Sequence, residues 1–194
     1  MPEGTRPEGG IVAMLLSVGH GRLDRTQLAE LLHSAGVESL VDVRRFPGSR
    51  RNPDLSSDAM TQWLADAGIG YRLERRLGGR RRLPAGTTPE DSWWRVEQFA
   101  DALDGLLEES ARRRTAMMCS ESVWWRCHRR LVADVVVLRF GREVEHLMHD
   151  GRLLAHEAAP GARMRADGHV VWDGGDVDGG DVDGGDVDGG DVDG

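Results

Sequence analysis

The sequence predicts a single three-layer α/β domain with a short, mainly parallel sheet, a C-terminal strand pair and a disordered acidic tail. Three observations predict it. The apolar runs IVAMLLSV, LVDV and TAMM have the character of strands buried on both faces. Segments whose apolar residues recur at helical spacing stand between them. The connections are short, which makes strand–helix–strand units and favours parallel pairing with right-handed crossovers.

Residues 1–10 hold Pro, Gly and charge and are expected to be a flexible terminus, so the domain is expected to cover residues 11–172. Residues 11–18 predict the first strand, which ends at the loop Gly19-His20-Gly21. Asp24 or Thr26 is placed to cap a helix in which Leu28, Leu31 and Leu32 share a face and which Gly36 stops. Residues 40–43 predict a second strand, followed by the arginine-rich loop RRFPGSRRNPDL. Ser56 or Ser57 is placed to cap a helix over about residues 58–67, Gly68 ends it, and residues 69–73 predict a third strand. Residues 77–91, with paired glycines, an arginine triplet and prolines, read as loop. Residues 93–111 predict a long amphipathic helix with Val96, Phe99, Ala100, Leu103, Leu106 and Leu107 on its apolar face. Residues 115–118 predict a buried strand ending at Cys119, and a helix is expected from Trp124 or Arg126 to Phe140. Residues 143–148 and 152–156 predict the strand pair, turned at Asp150-Gly151. In residues 173–194 the unit GGDVD repeats four times; it offers no apolar side chain larger than Val and cannot bury a core. A calcium-binding roll uses a nonapeptide with different Gly and Asp spacing.

The net charge of −8 belongs to this tail, which carries nine of the 33 acidic residues and no basic one. The rest has 33 − 9 = 24 acidic against 25 basic residues, a net charge of +1. Every basic residue is arginine, whose planar fork grips carboxylate or phosphate with two hydrogen bonds. Two cysteines are too few for a disulfide framework. No apolar run is long enough to span a bilayer, and MPEGTRPEGG lacks the basic flank of a secretory signal. A cytoplasmic location with free thiols and no membrane partner is the expectation.

In an open parallel sheet, ligands bind beyond the carboxyl ends of the strands. His20 follows the first strand, Asp42 and Arg44 close the second, and Cys119 and Glu121 follow the fourth, with Cys127, His128 and Arg129 opening the next helix. Helix starts favour anions. One crevice holding an imidazole, carboxylates, a thiol and guanidiniums is therefore expected. Each member also has a plainer role: His20 bonding loop carbonyls, Asp42 in a structural ion pair with Arg44 or Arg50, Cys119 as a buried thiol, Glu121 as a helix cap, Trp124 and Trp125 as packing. A metal site from His20, Cys119, Cys127 and His128 is not expected, because seven residues separate the cysteines and zinc motifs space them more closely. The arginines from Arg44 to Arg51, with Arg80, Arg81 and Arg82, read as a basic rim for phosphate or nucleic acid.

SVGHGRLDRTQLAELLHSAGVESLVDVRRFPGSRRNP, IGYRLERRLGG, MCSESVWWRCHRRLVA and VEHLMHDG together resemble the family catalogued as domain of unknown function 488, over about residues 15–151. The resemblance rests on a Gly-His after the first strand, Asp-Val-Arg with a following Pro and Ser-Arg, a Tyr before Leu-Gly-Gly, Cys-x-Glu and Cys-His-Arg. It implies an α/β fold with these polar residues as a pocket, adding Ser49 and Tyr71 to the set, and names no reaction. Ser122-Val123-Trp124-Trp125 and the GGDVD tail depart from the pattern. The Val-Asp-Val-Arg strand end is also faintly similar to rhodanese domains, although six residues, two of them tryptophan, separate Cys119 from Arg126 and the tight glycine loop is missing.

The leading functional expectation is an enzyme acting on a phosphate-bearing, nucleotide or nucleic-acid substrate. In it His20, Asp42, Cys119, Glu121 and His128 are catalytic candidates, and Arg44, Ser49, Arg50, Tyr71 and Arg129 bind substrate. A rhodanese-like thiol enzyme using Cys119 and a non-catalytic nucleic-acid binding module are the alternatives. No cofactor is indicated by the residues.

Overall fold

The computed structural model describes residues 14–48, 52–79 and 97–172. A six-stranded sheet forms the centre, with strand order β3-β2-β4-β1-β5-β6. The strands are β1 (Leu15–Gly19), β2 (Ser39–Asp42), β3 (Gly70–Leu73), β4 (Thr115–Cys119), β5 (Val144–Leu147) and β6 (Leu153–Ala155). The first five run parallel, and β6 is antiparallel to β5 across the turn at Asp150-Gly151.

Among the described residues four α-helices cover the sheet: α1 (Arg25–Ser34), α2 (Ser57–Asp66), α3 (Glu97–Arg112) and α4 (Arg129–Phe140). Asp24, not Thr26, caps α1: its carboxylate accepts from the Gln27 N–H at 2.9 Å and Gln27 Oε1 accepts from the Asp24 N–H at 3.0 Å. Ser56 caps α2. On α3 the buried face runs through Phe99, Ala102, Leu103, Leu106 and Leu107, so Ala102 takes the place expected for Ala100, which faces solvent. The helix expected to begin at Trp124 or Arg126 is interrupted. Trp124–Arg126 form a 3-10 turn, Cys127 is extended, and α4 starts only at Arg129. The break turns Cys127 inward toward β4, which a continuous helix would prevent. A second strand pair that the sequence pattern did not suggest, β7 (Ala162–Met164) with β8 (Val170–Trp172), packs on α4.

Alternation along the strands divides the core. Leu16, Val18, Leu40, Ala116, Met118 and Leu147 pack under α1 and α2. Leu15, Val41, Met117, Cys119 and Val144 pack under α3 and α4. The connections leaving β1 and β2 therefore cross one face, and the connection leaving β4 crosses the other. Because β4 lies between β1 and β2, its carboxyl end is a topological switch point, where open α/β sheets form their ligand crevice. No described helix is long and apolar enough to cross a membrane. The expected tail, residues 173–194, and the arginine triplet at 80–82 lie outside the described residues.

Candidate functional site at the carboxyl end of β4

Asp42, the last residue of β2, is fully buried and its carboxylate is saturated. Oδ1 accepts from the Arg44 backbone N–H at 3.0 Å and from Arg44 Nε at 2.9 Å; Oδ2 accepts from Arg44 Nη2 at 2.6 Å and from the Tyr71 hydroxyl at 2.9 Å. The remaining Arg44 donors reach the Leu55 carbonyl at 2.8 Å and His20 Nε2 at 3.2 Å. Since His20 Nδ1 bonds the Gly21 carbonyl at 3.1 Å, Nδ1 is assigned the proton and Nε2 accepts from Arg44. Burial, then the Arg44 charge, lowers the His20 pKa to about 4. Burial and the Asp42 charge push the Tyr71 hydroxyl up, so it remains a donor.

A second network occupies the opposite face of the sheet. Arg129, the first residue of α4, is 1% exposed. Its Nε donates to Cys119 Sγ at 2.9 Å, Nη1 to Ser17 Oγ at 3.0 Å, and Nη2 to the Glu121 carbonyl at 2.7 Å. Cys119 Sγ lies 2.8 Å from Cys127 Sγ, and Cys127 Sγ lies 3.5 Å from His128 Nδ1. Neighbouring thiols this close titrate as a pair. Their mutual hydrogen bond and the guanidinium lower the first deprotonation, whereas burial pushes the second up. Glycine is required at position 19, because a Cβ there would overlap the Glu121 carbonyl oxygen where the β4–α4 loop crosses β1. The two networks meet at the strand tips, where the His20 N–H donates to the Cys119 carbonyl at 3.0 Å.

The loop leaving β4 carries Glu121 on the surface. Its main chain is clamped by Arg129, while among the described residues its carboxylate has no hydrogen bond or ion pair. Exposed Arg45, Phe46, Trp125 and Arg126 stand on the same connections out of β2 and β4.

The family model described as "Domain of unknown function DUF488" matches residues 24–136, more than half of the chain. The chain belongs to the DUF488 family. No curated protein and no solved structure matches it significantly. In this DUF488 chain, the motif residues His20, Asp42, Arg44 and Tyr71 come together in the first network, and Cys119, His128 and Arg129 in the second. Among the described residues the two sets lie on opposite faces of the sheet and meet at the strand tips through the His20–Cys119 main-chain hydrogen bond, and both arginines are taken up by internal partners. Ser49 and Arg50 lie outside the described residues. Among the described residues, no group of three His, Cys, Asp or Glu side chains is arranged to hold a metal.

A third network in the DUF488 chain escaped the sequence reading. Asp134, buried in the middle of α4, accepts from His156 Nε2 at 2.8 Å, the Ala159 N–H at 2.9 Å and Trp172 Nε1 at 2.8 Å. His156 Nδ1 lies 2.9 Å from His146 Nε2, and Trp124 stacks flat on His146 with centroids 4.0 Å apart. The available signal was an aspartate inside the apolar run LVADVVVL. Ser17, the anchor of Arg129, left no signal beyond being a hydroxyl within a strand.

Proposed function

We propose that this chain is an enzyme acting on a phosphate-bearing nucleotide or nucleic acid, with Glu121 as the acid–base group. One observation carries the reading. At the switch point, the single carboxylate on the β4 loop is exposed and, among the described residues, unpartnered, while the main chain beneath it is held by a fully buried arginine. A carboxylate kept free on a rigid support suits proton transfer, which requires geometry first. Asp42 suits it less, since four donors already fill it.

In this reading Arg44 and Arg129 are positioning residues, and phosphate is met by Arg45, by Arg126 and by Arg50 and Arg51 of the same arginine-rich connection. Phe46 and Trp125, 72% and 50% exposed, offer faces on which bases stack. A thiol enzyme attacking an external substrate is less favoured, because Cys119 is 1% exposed and faces another sulfur.

The test incubates the full chain with 5′-nucleotides and single-stranded oligonucleotides and follows products by mass spectrometry. Glu121→Gln is expected to lower turnover by about two to four orders of magnitude while leaving oligonucleotide affinity within about threefold. Unchanged turnover in Glu121→Gln, or no binding even at low salt, overturns the proposal. Salt-sensitive binding without turnover assigns the non-catalytic binding module instead.

A further inference from the structure

We propose that Cys119 and Cys127 form a reversible dithiol–disulfide site, oxidised by peroxide, that locks the β4–α4 loop. This does not rest on the role given to Glu121. The two sulfurs are already 2.8 Å apart with nothing between them, so a bond of about 2.05 Å needs an approach of only about 0.8 Å. The fold brings them together deliberately. Cys119 ends β4, and the interruption between the Trp124–Arg126 turn and α4 leaves Cys127 extended and turned toward it. Arg129 Nε at 2.9 Å and the Glu121 N–H at 3.3 Å both donate to Cys119 Sγ, which is what a sulfur anion needs in a buried setting. Cys127 is 8% exposed, and residues 120–122, 125 and 126 of the loop between the two are exposed. A small oxidant therefore has one layer of surface loop to pass. The guanidinium that braces the loop through Ser17 and the Glu121 carbonyl thus also places a donor on one of the two sulfurs.

The chemistry balances in two steps. The thiolate attacks one peroxide oxygen, the O–O bond breaks, and the departing hydroxide takes up a proton to become water, leaving a sulfenic acid. The second sulfur then attacks the sulfenic sulfur, the S–O bond breaks, and the departing hydroxide takes that thiol's proton. Two thiols lose two electrons and two protons, and one peroxide becomes two waters. Oxidation removes the sulfur acceptor of Arg129 Nε, while Nη1 and Nη2 keep Ser17 and the Glu121 carbonyl. The loop so closed contains Trp124 and Trp125, which report the change.

The chain has two cysteines, which makes the test unambiguous. The full chain is treated with hydrogen peroxide at a few equivalents, unfolded, and alkylated. The expected product takes no alkyl group, is lighter by about 2 Da than the reduced chain, yields a peptide linking Cys119 to Cys127, shows shifted tryptophan emission, and returns to two alkylated cysteines after a dithiol reductant. Cys119→Ser and Cys127→Ser are each expected to stop at a sulfenic acid trapped by dimedone. Alkylation of both cysteines after oxidation, a sulfinic acid without the cross-link, or a bridge only between two chains overturns the proposal. The wild-type readings decide it even if a variant fails to fold.

Discussion

At the scale of single residues, the carboxyl end of the sheet is held by charges that have been withdrawn from solvent and fully partnered. Replacing one partner leaves the other buried without compensation, which typically costs about 3–5 kcal/mol. Asp42→Asn is therefore expected to lower unfolding stability by about that much, read from the urea midpoint at pH 7, because Arg44 keeps its charge among Leu55, Met60 and Tyr71. A loss under 1 kcal/mol would show that the pair is dispensable. The histidines set an acid limit. Burial and the charges of His156 and Arg129 lower the His146 pKa from 6.5 to about 3. The unfolded chain then takes up a proton near pH 6.5 that the folded chain refuses until near pH 3, so the unfolded state binds more protons in that window. Stability falls as pH falls between those values, by up to about 1.4 kcal/mol per pH unit for this one imidazole. His20 acts in the same direction between pH 6.5 and about 4. Denaturation at stepped pH is expected to show a shallower acid decline in His146→Gln than in the parent. Parallel declines would contradict the assignment.

At the scale of elements, α4 joins two structures that the sequence shows as separate. Its first residue braces the β4 loop, and Asp134, near its middle, anchors the segment from His156 to Trp172 through three hydrogen bonds. Asp134→Ala is expected to release β7 and β8 while sparing the six-stranded sheet. Limited proteolysis is expected to cut between residues 157 and 172 much faster in the variant, and equal cleavage rates would reject the anchor. This division also explains what was legible beforehand. The strands of the six-stranded sheet, α1, α2 and the body of α4 announced themselves because apolar runs, caps and stop glycines are local signals. The stop before α4 was not local, since Cys127 is turned by its partner on β4. Nor were β7 and β8, three residues each, with Val170 the one fully buried position between them. The polar residues at the strand tips were visible, but their separation onto two faces was not. In strands buried on both sides, composition does not reveal which way each side chain points; pairing across the sheet sets that. Asp42 thus joined α2 and Tyr71, while Cys119 joined Arg129.

At the scale of the whole molecule, charge is divided along the chain: residues 1–172 are at +1 and residues 173–194 at −9. If the arginines around β4 form the basic rim proposed above, nine aspartates on the same chain act at a high effective concentration against any polyanion that approaches it. If the arginines around β4 receive nucleic acid, the tail competes with it. Ending the chain after Trp172 keeps the Asp134 anchor and removes the competitor. The shortened chain is expected to bind a single-stranded oligonucleotide about tenfold more tightly at about 50 mM salt, with the advantage fading toward about 0.5 M as both attractions are screened. Fluorescence anisotropy with the two chains, at both salt concentrations, reads this directly. Equal affinities at low salt would mean that the tail does not meet the arginine surface. A gain that persists at high salt would mean that the tail obstructs by bulk instead of charge. Only the predicted pattern, a gain that salt erases, ties the acidic repeat to the same electrostatic surface that Glu121 stands on.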